Sequence, residues 1–518
     1  MPFELELPEM FNAADYFVDR NIREGRGEKT AICCGTNQFS YKDVQAGVNR
    51  FGNTLKSLGV RMEERIALLM LDTEVYPQAF FGSIKMGAIP ICLNTLMRPK
   101  DYEYFLNDSR ARVLVIDAHL LPSLEPIRSK LKFLKQVIVV NGEAPAGDLQ
   151  LSTLWASQSE QLECAPTTPD DACFWLYSSG STGQPKGTVH LQRDMVYSCE
   201  TYGKQVLGIK ENDVCFSAAK LFFAYGLGNG LYFPFSVGAT AVYLPDRPTP
   251  EAVFQTIREH RPTIFYGVPT LYASMLEAEG SLDGVRICVS AGEALPADIL
   301  KRWRERFGVD ILDGIGSTEL VHIFISNYPN EIHPGSTGRL VPGHEAKIVD
   351  EQMQEVPQGE VGTLLVKSGS AAAYYWNKRE KTQQTMLGPW LNTGDKFFMD
   401  DQGLFFYAGR TDDMLKVGGI WLSPIEVEAC IIAHPAVLEC AVVAATDPEN
   451  LVKPKAYVVL KSSHTPSDEM AETIKQHVKS TLAPYKYPRW VEFIDELPKT
   501  ATGKIKRFKL RIQVDDEN

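Results

Sequence analysis

The run Tyr177-Ser178-Ser179-Gly180-Ser181-Thr182-Gly183-Gln184-Pro185-Lys186-Gly187 directly follows the apolar stretch Cys173-Phe174-Trp175-Leu176, and this junction restricts the fold more than any other part of the chain. An apolar strand must end there in a loop whose three glycines let backbone N–H groups close around an anion. Serine and threonine hydroxyls add donors, and Lys186 adds a point charge. The loop therefore suits phosphate, yet it cannot open a helix as a Walker loop does. Pro185 stands before Lys186 and Gly187 after it, and neither favours helix initiation. A polar Ser/Gly linker is the bland alternative, but it accounts neither for the lysine nor for the strand.

A chain of 518 residues with 44% hydrophobic content exceeds one core and divides into several lobes. The net charge of −12 and the lack of a basic cluster argue against nucleic acid as a partner. None of the 10 cysteines forms a C-x-x-C pair or a regular ladder, which fits a reducing compartment, the cytoplasm, and excludes a disulfide scaffold or zinc site. The start, Met1-Pro2-Phe3-Glu4-Leu5-Glu6, lacks the basic and apolar regions of a signal peptide. The best apolar run, Ile66 to Leu71, is far shorter than the roughly 20 residues of a membrane span. Oligomeric state leaves no mark on the sequence.

Short β-branched runs alternate with longer helical patterns. Strands are predicted at Ile66–Leu71, Ile89–Leu93, Val113–Ile116, Val137–Val140, Thr263–Tyr266, Ile287–Ser290 and Ile311–Leu312, and helices at Pro250–Glu259 and Pro296–Phe307. The alternation predicts an α/β fold: a large N-terminal domain of layered, mostly parallel sheets. From about Ala346 the pattern turns strand-rich, with Lys347–Asp350 and Thr363–Lys367, giving a β-rich subdomain over about 346–411. The strand-like Leu404–Ala408 then ends in the polar turn Arg410-Thr411-Asp412-Asp413, which either lies within one domain or closes a domain spanning 1–411. The remaining 412–518 reads strand (Leu438–Val443), strand (Ala456–Leu460), helix (Ser467–Leu482) and strand (Val491–Ile494), a small α+β unit.

Further motifs follow in order: Ser290-Ala291-Gly292-Glu293-Ala294, Gly314-Ile315-Gly316-Ser317-Thr318-Glu319 preceded by Asp313, Thr393-Gly394-Asp395, Tyr407-Ala408-Gly409-Arg410 with Asp412-Asp413, and Pro498 to Ile505 around Lys504. Together with the loop, this ordered set resembles the adenylate-forming superfamily of acyl- and aryl-CoA synthetases, luciferases and peptide-synthetase adenylation domains. The resemblance implies ATP-driven formation of an acyl-adenylate with release of pyrophosphate, followed by transfer to a thiol. ATP, Mg2+ and coenzyme A are the implied cofactors and substrates, and charge building on the α-phosphate and leaving group must be neutralised.

By the same resemblance, Ser178, Ser179, Gly180, Ser181, Thr182, Gly183 and Lys186 cradle phosphate, and Gly292, Glu293, Asp313 and Gly314 border the adenine. Thr318 donates to the α-phosphate, and Glu319 holds Mg2+, a hard cation suited to carboxylate and phosphate oxygens. Asp395 binds the ribose with Arg410 assisting, and Lys504 bridges carboxylate and α-phosphate oxygens. Asp412 is the implied hinge of a mobile C-terminal domain that withdraws Lys504 and brings in Lys416, Gly418 and Gly419 beside a pantetheine tunnel. On the residues alone other readings stand. Lys504 is one member of a basic run from 499 to 509, Glu319 is an acid in a helix's first turn, and Thr393-Gly394-Asp395 and the 416–419 loop are plain turns. The glycines at 292, 314 and 316 suit a flat adenine lying against backbone, although turns use glycine too.

Lys220 to Asn229, containing Phe223, Ala224, Tyr225 and Gly226, resembles the acyl-pocket segment of benzoate-CoA ligases within this superfamily, as do Trp175-Leu176-Tyr177 and Val189-His190. Aromatic side chains suit a flat ring and obstruct a long alkyl tunnel, though they also serve as core. Tyr266, Gly267, Ile315 and His322 are further candidate pocket residues; His322 either bonds a ring substituent or satisfies backbone at a helix start. No Asp or Glu lies between Phe216 and Phe233 to pair an α-ammonium, so α-amino acids are disfavoured, whereas 2-aminobenzoate enters uncharged. Three function classes follow. The first is an aryl-CoA ligase for benzoate, 2-aminobenzoate or a hydroxybenzoate, the second an enzyme that loads an aryl group on a carrier-protein phosphopantetheine, and the third a non-catalytic binding relative. A binding module needs no electrophilic set of Lys186, Thr318, Glu319, Asp395, Arg410 and Lys504.

Overall fold

The computed structural model describes residues 3–178, 185–410, 413–417, 420–447, 451–483, 486–499, 505–507 and 509–511. The expectations for Ser179, Gly180, Ser181, Thr182, Gly183, Asp412, Gly418, Gly419 and Lys504, and for the Lys416 side chain, lie outside the described residues.

The β-branched runs form parallel strands buried on both faces, as expected where helices cover each side of a sheet. A nine-stranded sheet runs Arg339–Leu340, Ile323–Ser326, Ile311–Gly316, Ile287–Ser290, Ile264–Gly267, Val214–Ser217, Thr240–Tyr243, Thr30–Cys34, Asn37–Ser40. It is parallel from Ile311–Gly316 to Thr30–Cys34 and antiparallel at its edges. An eight-stranded sheet runs Tyr374–Tyr375, Lys186–Leu191, Ala172–Ser178, Ile89–Cys92, Arg65–Leu69, Val113–Asp117, Gln136–Val140, Leu149–Gln150, and only its first two pairings are antiparallel.

The largest core cluster joins residues of both sheets through the helices Tyr41–Ser57 and Val75–Lys85. Val75–Lys85 is buried along its whole length, which suits a helix enclosed on all sides. Its one cation, Lys85, is paired with Asp19 at 2.7 Å and donates to Asn49 Oδ1 at 2.7 Å, as a buried charge requires.

A five-stranded antiparallel sheet carries the β-rich part: Glu345–Val349, Gly362–Lys367, Trp390–Met399, Met386–Leu387, with Phe405–Arg410 against Trp390–Met399. A separate three-stranded sheet, Val437–Thr446, Val452–Leu460, Trp490–Phe493, packs against the helices Pro424–Ile432 and Asp468–Thr481. Ser423 and Ser467 cap those helices, each hydroxyl accepting from the backbone N–H three residues on.

Three local expectations change. The strand beginning at Ile311 extends to Gly316, because Ile323–Ser326 pairs back against it. Thr318–Leu320 is a single 3-10 turn capped by Ser317, which holds Glu319 but ends before His322, so His322 does not stand at the start of a helix. Asp395 does not sit in a turn ahead of a strand but inside Trp390–Met399, next to Gly394 at φ +70°, where a register shift opposite Gly362–Lys367 kinks the ladder. All ten cysteines are free. No helix among the described residues is long and apolar enough to cross a membrane.

Candidate active site

The phosphate loop closes an antiparallel hairpin rather than leading into a helix. Its ends are fixed by the pairings Tyr177↔Gly187 and Ser178↔Lys186, so Lys186 and Ser178 leave the sheet side by side. Facing them is Glu319, a neighbour by folding alone. Its Oε1 accepts from the Tyr375 hydroxyl at 2.7 Å and from Ser178 Oγ at 3.3 Å, and Lys186 Nζ lies 3.6 Å away. Burial pushes the Glu319 carboxyl up, but Lys186, Tyr375 and Ser178 outweigh it and hold the group below the usual carboxylate range. The arrangement gives an ionised carboxylate beside a lysine and two hydroxyls, a carboxylate of the kind a hard cation takes.

Thr318 is positioned from behind. His190, buried on Lys186–Leu191, contacts the Thr318 carbonyl oxygen through Nε2 at 2.8 Å and the Asp194 carboxylate through Nδ1 at 3.0 Å. Both ring nitrogens are thereby committed, and the backbone of Thr318 is fixed. Three residues on, Val321 adopts φ +69°, an outlier for a β-branched residue. Such strain costs about 1–3 kcal/mol and concentrates at functional sites. The kink separates Glu319, beside the loop, from His322, which packs among aromatic rings.

Asp395 and Arg410 are register partners on adjacent strands, and Arg410 Nη1 donates to Asp395 Oδ1 at 3.0 Å. The Asp395 charge and, against it, burial leave the Arg410 guanidinium above its ordinary value. The two stand as one unit, a carboxylate oriented by its own guanidinium. Asp313 ends the parallel part of Ile311–Gly316, and burial pushes its carboxyl up to about 8. Among the described residues its Oδ1 has no hydrogen-bond partner. Gly314 and Gly316 have a packing reason that the sequence did not reveal: a Cβ at 316 would lie 2.6 Å from the His322 carbonyl oxygen, and one at 314 would lie 3.0 Å from that of Ile325.

The aromatic residues expected to line a pocket gather around His322. Its ring stacks on Tyr225 at 5.5 Å and meets Phe233 at 4.6 Å and Tyr202 at 5.3 Å, and its Nε2 contacts Asn229 Oδ1 at 3.0 Å. Burial brings its pKa down to about 3, so the imidazole is neutral. Tyr225 is fixed by donating to the carbonyls of Val289 at 3.0 Å and Gly267 at 3.2 Å, and Tyr266 is fully buried 6.5 Å from its ring. Phe223 and Ala224 are half-buried beside this cluster, whereas Ile315 packs against a separate one with Leu320 and Phe324. Gly226 serves the loop's own turn, since a Cβ there would lie 2.1 Å from the Lys220 carbonyl oxygen. Four polar atoms here, His322 Nδ1, Asn229 Nδ2, Tyr202 Oη and Tyr266 Oη, are buried without a partner among the described residues.

From the C-terminal part, the Ile505 N–H donates to Glu293 Oε1 at 3.1 Å, bringing the segment next to Lys504 to the end of strand Ile287–Ser290. Asp413 pairs with Arg511 and lies 3.8 Å from Arg507, whose guanidinium also holds Glu428 at 2.8 Å. Among described residues, Ser178, Lys186, Tyr375 and Glu319 meet in one cluster with Thr318 alongside and His190 behind it, Asp395 and Arg410 form a pair of their own, and Glu293 faces the C-terminal segment. Val189-His190 stood out in the sequence only for its likeness to benzoate-CoA ligases, with no sign of its contact with Thr318, and nothing in the sequence marked Tyr375.

The chain matches the family described as AMP-binding enzyme over residues 18–376 and the one described as AMP-binding enzyme C-terminal domain over residues 426–504. It is 53% identical over 517 residues to the benzoate–CoA ligase of Thauera aromatica, covering 98% of this chain and 97% of that one. Among solved structures it is similar to the anthranilate CoA ligase AuaEII in complex with anthranoyl-AMP, with TM-score 0.96 and 46% identity over 99% of this chain and 98% of that one. It is also similar to a benzoate CoA ligase from Burkholderia xenovorans LB400, with TM-score 0.91 and 48% identity over 97% and 100% of the two chains.

Proposed function

The chain belongs to the AMP-binding enzyme family, and from that premise we propose that it is an AMP-forming acid–CoA ligase for aromatic acids. It joins benzoate or a ring-substituted benzoate to ATP as an aryl-adenylate, then transfers the aryl group to coenzyme A, releasing AMP and pyrophosphate. The carrying observation is the turn from Thr318 to His322, which sets an ionised carboxylate beside Lys186 on one side of Val321 and a neutral imidazole in an aromatic pocket on the other. Phosphate chemistry and ring binding are thereby joined across a few residues. The likeness to benzoate and anthranilate ligases over almost the whole chain supports the same reading.

In this reading Lys186 and the loop hold the ATP phosphates, Asp395 with Arg410 receives the ribose hydroxyls, and Lys504 neutralises charge at the reacting carboxylate and α-phosphate. Glu319 is the residue that would hold Mg2+, whose chemistry is to screen the phosphate charge. Asp412 is the hinge between a domain of 1–411 and one of 412–518, and the latter carries Lys504 and the Lys416–Gly419 loop. Free thiols throughout the chain fit a cytoplasmic setting, where ATP and CoA are supplied.

The unpaired polar atoms of the ring pocket favour an acid with a small hydrogen-bonding substituent. A buried polar group without a partner costs about 1–3 kcal/mol, and a ring amino or hydroxyl group relieves it. The test is ATP- and CoA-dependent AMP release with benzoate, 2-aminobenzoate, the hydroxybenzoates, cinnamate, a medium-chain fatty acid and an α-amino acid, on wild type and H322A. Turnover confined to the benzoates is expected. H322A should raise KM for the preferred substituted acid about ten-fold more than for benzoate, the size of one lost hydrogen bond. Turnover of the fatty acid alone would overturn the reading, and AMP release without thioester on free CoA would redirect it to a carrier protein.

A further inference from the structure

Tyr375 lies on the edge strand Tyr374–Tyr375, paired antiparallel to Lys186–Leu191, and is 2% exposed. Its hydroxyl makes two directed contacts. It donates to Glu319 Oε1 at 2.7 Å and accepts from Lys186 Nζ at 3.2 Å, while the same ammonium sits 4.2 Å from its ring centroid. A phenol performs both roles only while protonated. Ammonium, phenol and carboxylate thus form one hydrogen-bonded chain across two strands and a turn that are remote in sequence. With Ser178 Oγ also on Oε1 at 3.3 Å, every hydrogen bond that described side chains direct to this carboxylate falls on one oxygen.

We propose that Tyr375 is a positioning residue for acid activation: it ties the arm lysine to the cation-holding carboxylate, saturating Oε1 with protein donors and leaving Oε2 as the oxygen offered to Mg2+. The argument rests on the reading of Glu319 as the Mg2+ ligand. As ATP phosphates draw the Lys186 ammonium toward themselves, the phenol still donates to Oε1. The carboxylate therefore keeps its orientation while its counter-charge changes from lysine to metal. A carboxylate without that donor is free to turn, and free rotation weakens a ligand that must meet a cation with strict octahedral demands.

Y375F removes the hydroxyl and keeps the ring over which the lysine sits. Two quantities should be measured: binding of Mg2+·ATP by calorimetry without any aryl acid, and the half-saturating Mg2+ concentration for aryl-acid-dependent ATP–pyrophosphate exchange. Both should weaken about ten-fold in Y375F, as for the loss of one hydrogen bond to a charged group, with KM for the aryl acid unchanged. In an E319Q background the same substitution should change Mg2+ dependence less than about two-fold, because a residue acting through Glu319 has nothing left to position. Unchanged Mg2+ affinity in Y375F, or an equal penalty with and without Glu319, would overturn the proposal. Binding of Mg2+·ATP is read without the acid, so a failure of the aryl-acid assignment shows separately, as exchange that no aryl acid stimulates in wild type.

Discussion

Asp313 shows how a single residue departs from what its type suggests. An aspartate ionises near 3.9 in an unfolded chain, but burial raises this one to about 8. Between those values the unfolded state gives up its proton and the folded state does not. The Asp313 contribution to stability is therefore complete below about pH 4 and is lost as pH rises through about 8. D313N cannot ionise, so its melting temperature should fall less than that of wild type between about pH 5 and pH 8, and parallel curves would refute the assignment. Glu319 and Lys186 were legible from their motifs, yet their 3.6 Å approach was not, since nothing local links residues 133 positions apart. Tyr375 was hidden for the same reason: its partners are fixed by sheet pairing, and an aromatic triplet carries no mark of a hydroxyl's direction.

At the scale of elements, most strands predicted from the alternation of β-branched and helical runs lie within two residues of a strand in the structure, because parallel strands buried on both faces must be continuously apolar, but Thr30–Cys34, Val214–Ser217, Thr240–Tyr243 and Ile323–Ser326 were passed over. The alternation also failed where glycine stood for packing. Gly316 is dictated by the strand Ile323–Ser326, and Gly226 by its own loop, contacts invisible to a local pattern. The π-type run Gly228–Tyr232 gives the clearest case for testing: a Cβ at 228 would lie 2.6 Å from His322 Cδ2 and 2.9 Å from the Tyr232 hydroxyl. G228A should cost about 1–3 kcal/mol by overpacking. It should also raise KM for the aryl acid well above any change in KM for ATP, because the displaced ring belongs to the acid's pocket. Equal changes in both would place the strain elsewhere.

At the scale of the molecule, the recorded orientation is the one in which the Ile505 N–H reaches Glu293. If Lys504 serves only the first half-reaction, K504A should lose adenylate formation from acid and ATP by several orders of magnitude while transfer to CoA from preformed aryl-adenylate survives. E293A should show a milder version of the same split, about ten-fold, as expected for one hydrogen bond to a charged group. Equal losses in both half-reactions would argue against a domain that changes position between them. The division into two units was suggested in the sequence by the Arg410-Thr411-Asp412-Asp413 turn, but the contact of Ile505 with Glu293 was not, because it joins surfaces whose meeting depends on the whole fold.

The ten free cysteines carry a consequence of a different kind. An aryl-adenylate is an indiscriminate acylating agent, and the protein that makes it is also its nearest target. A thiol attacks as thiolate, and burial pushes all ten protein thiols above their ordinary value, including the half-buried Cys34 and Cys164, pushed to about 11 and about 12. The chain's own thiols are thereby poor nucleophiles toward such an intermediate. Incubated with ATP and its acid but no CoA, the chain should carry no aryl adduct on any cysteine peptide, so that the only thiol the activated ring meets is the one delivered from outside.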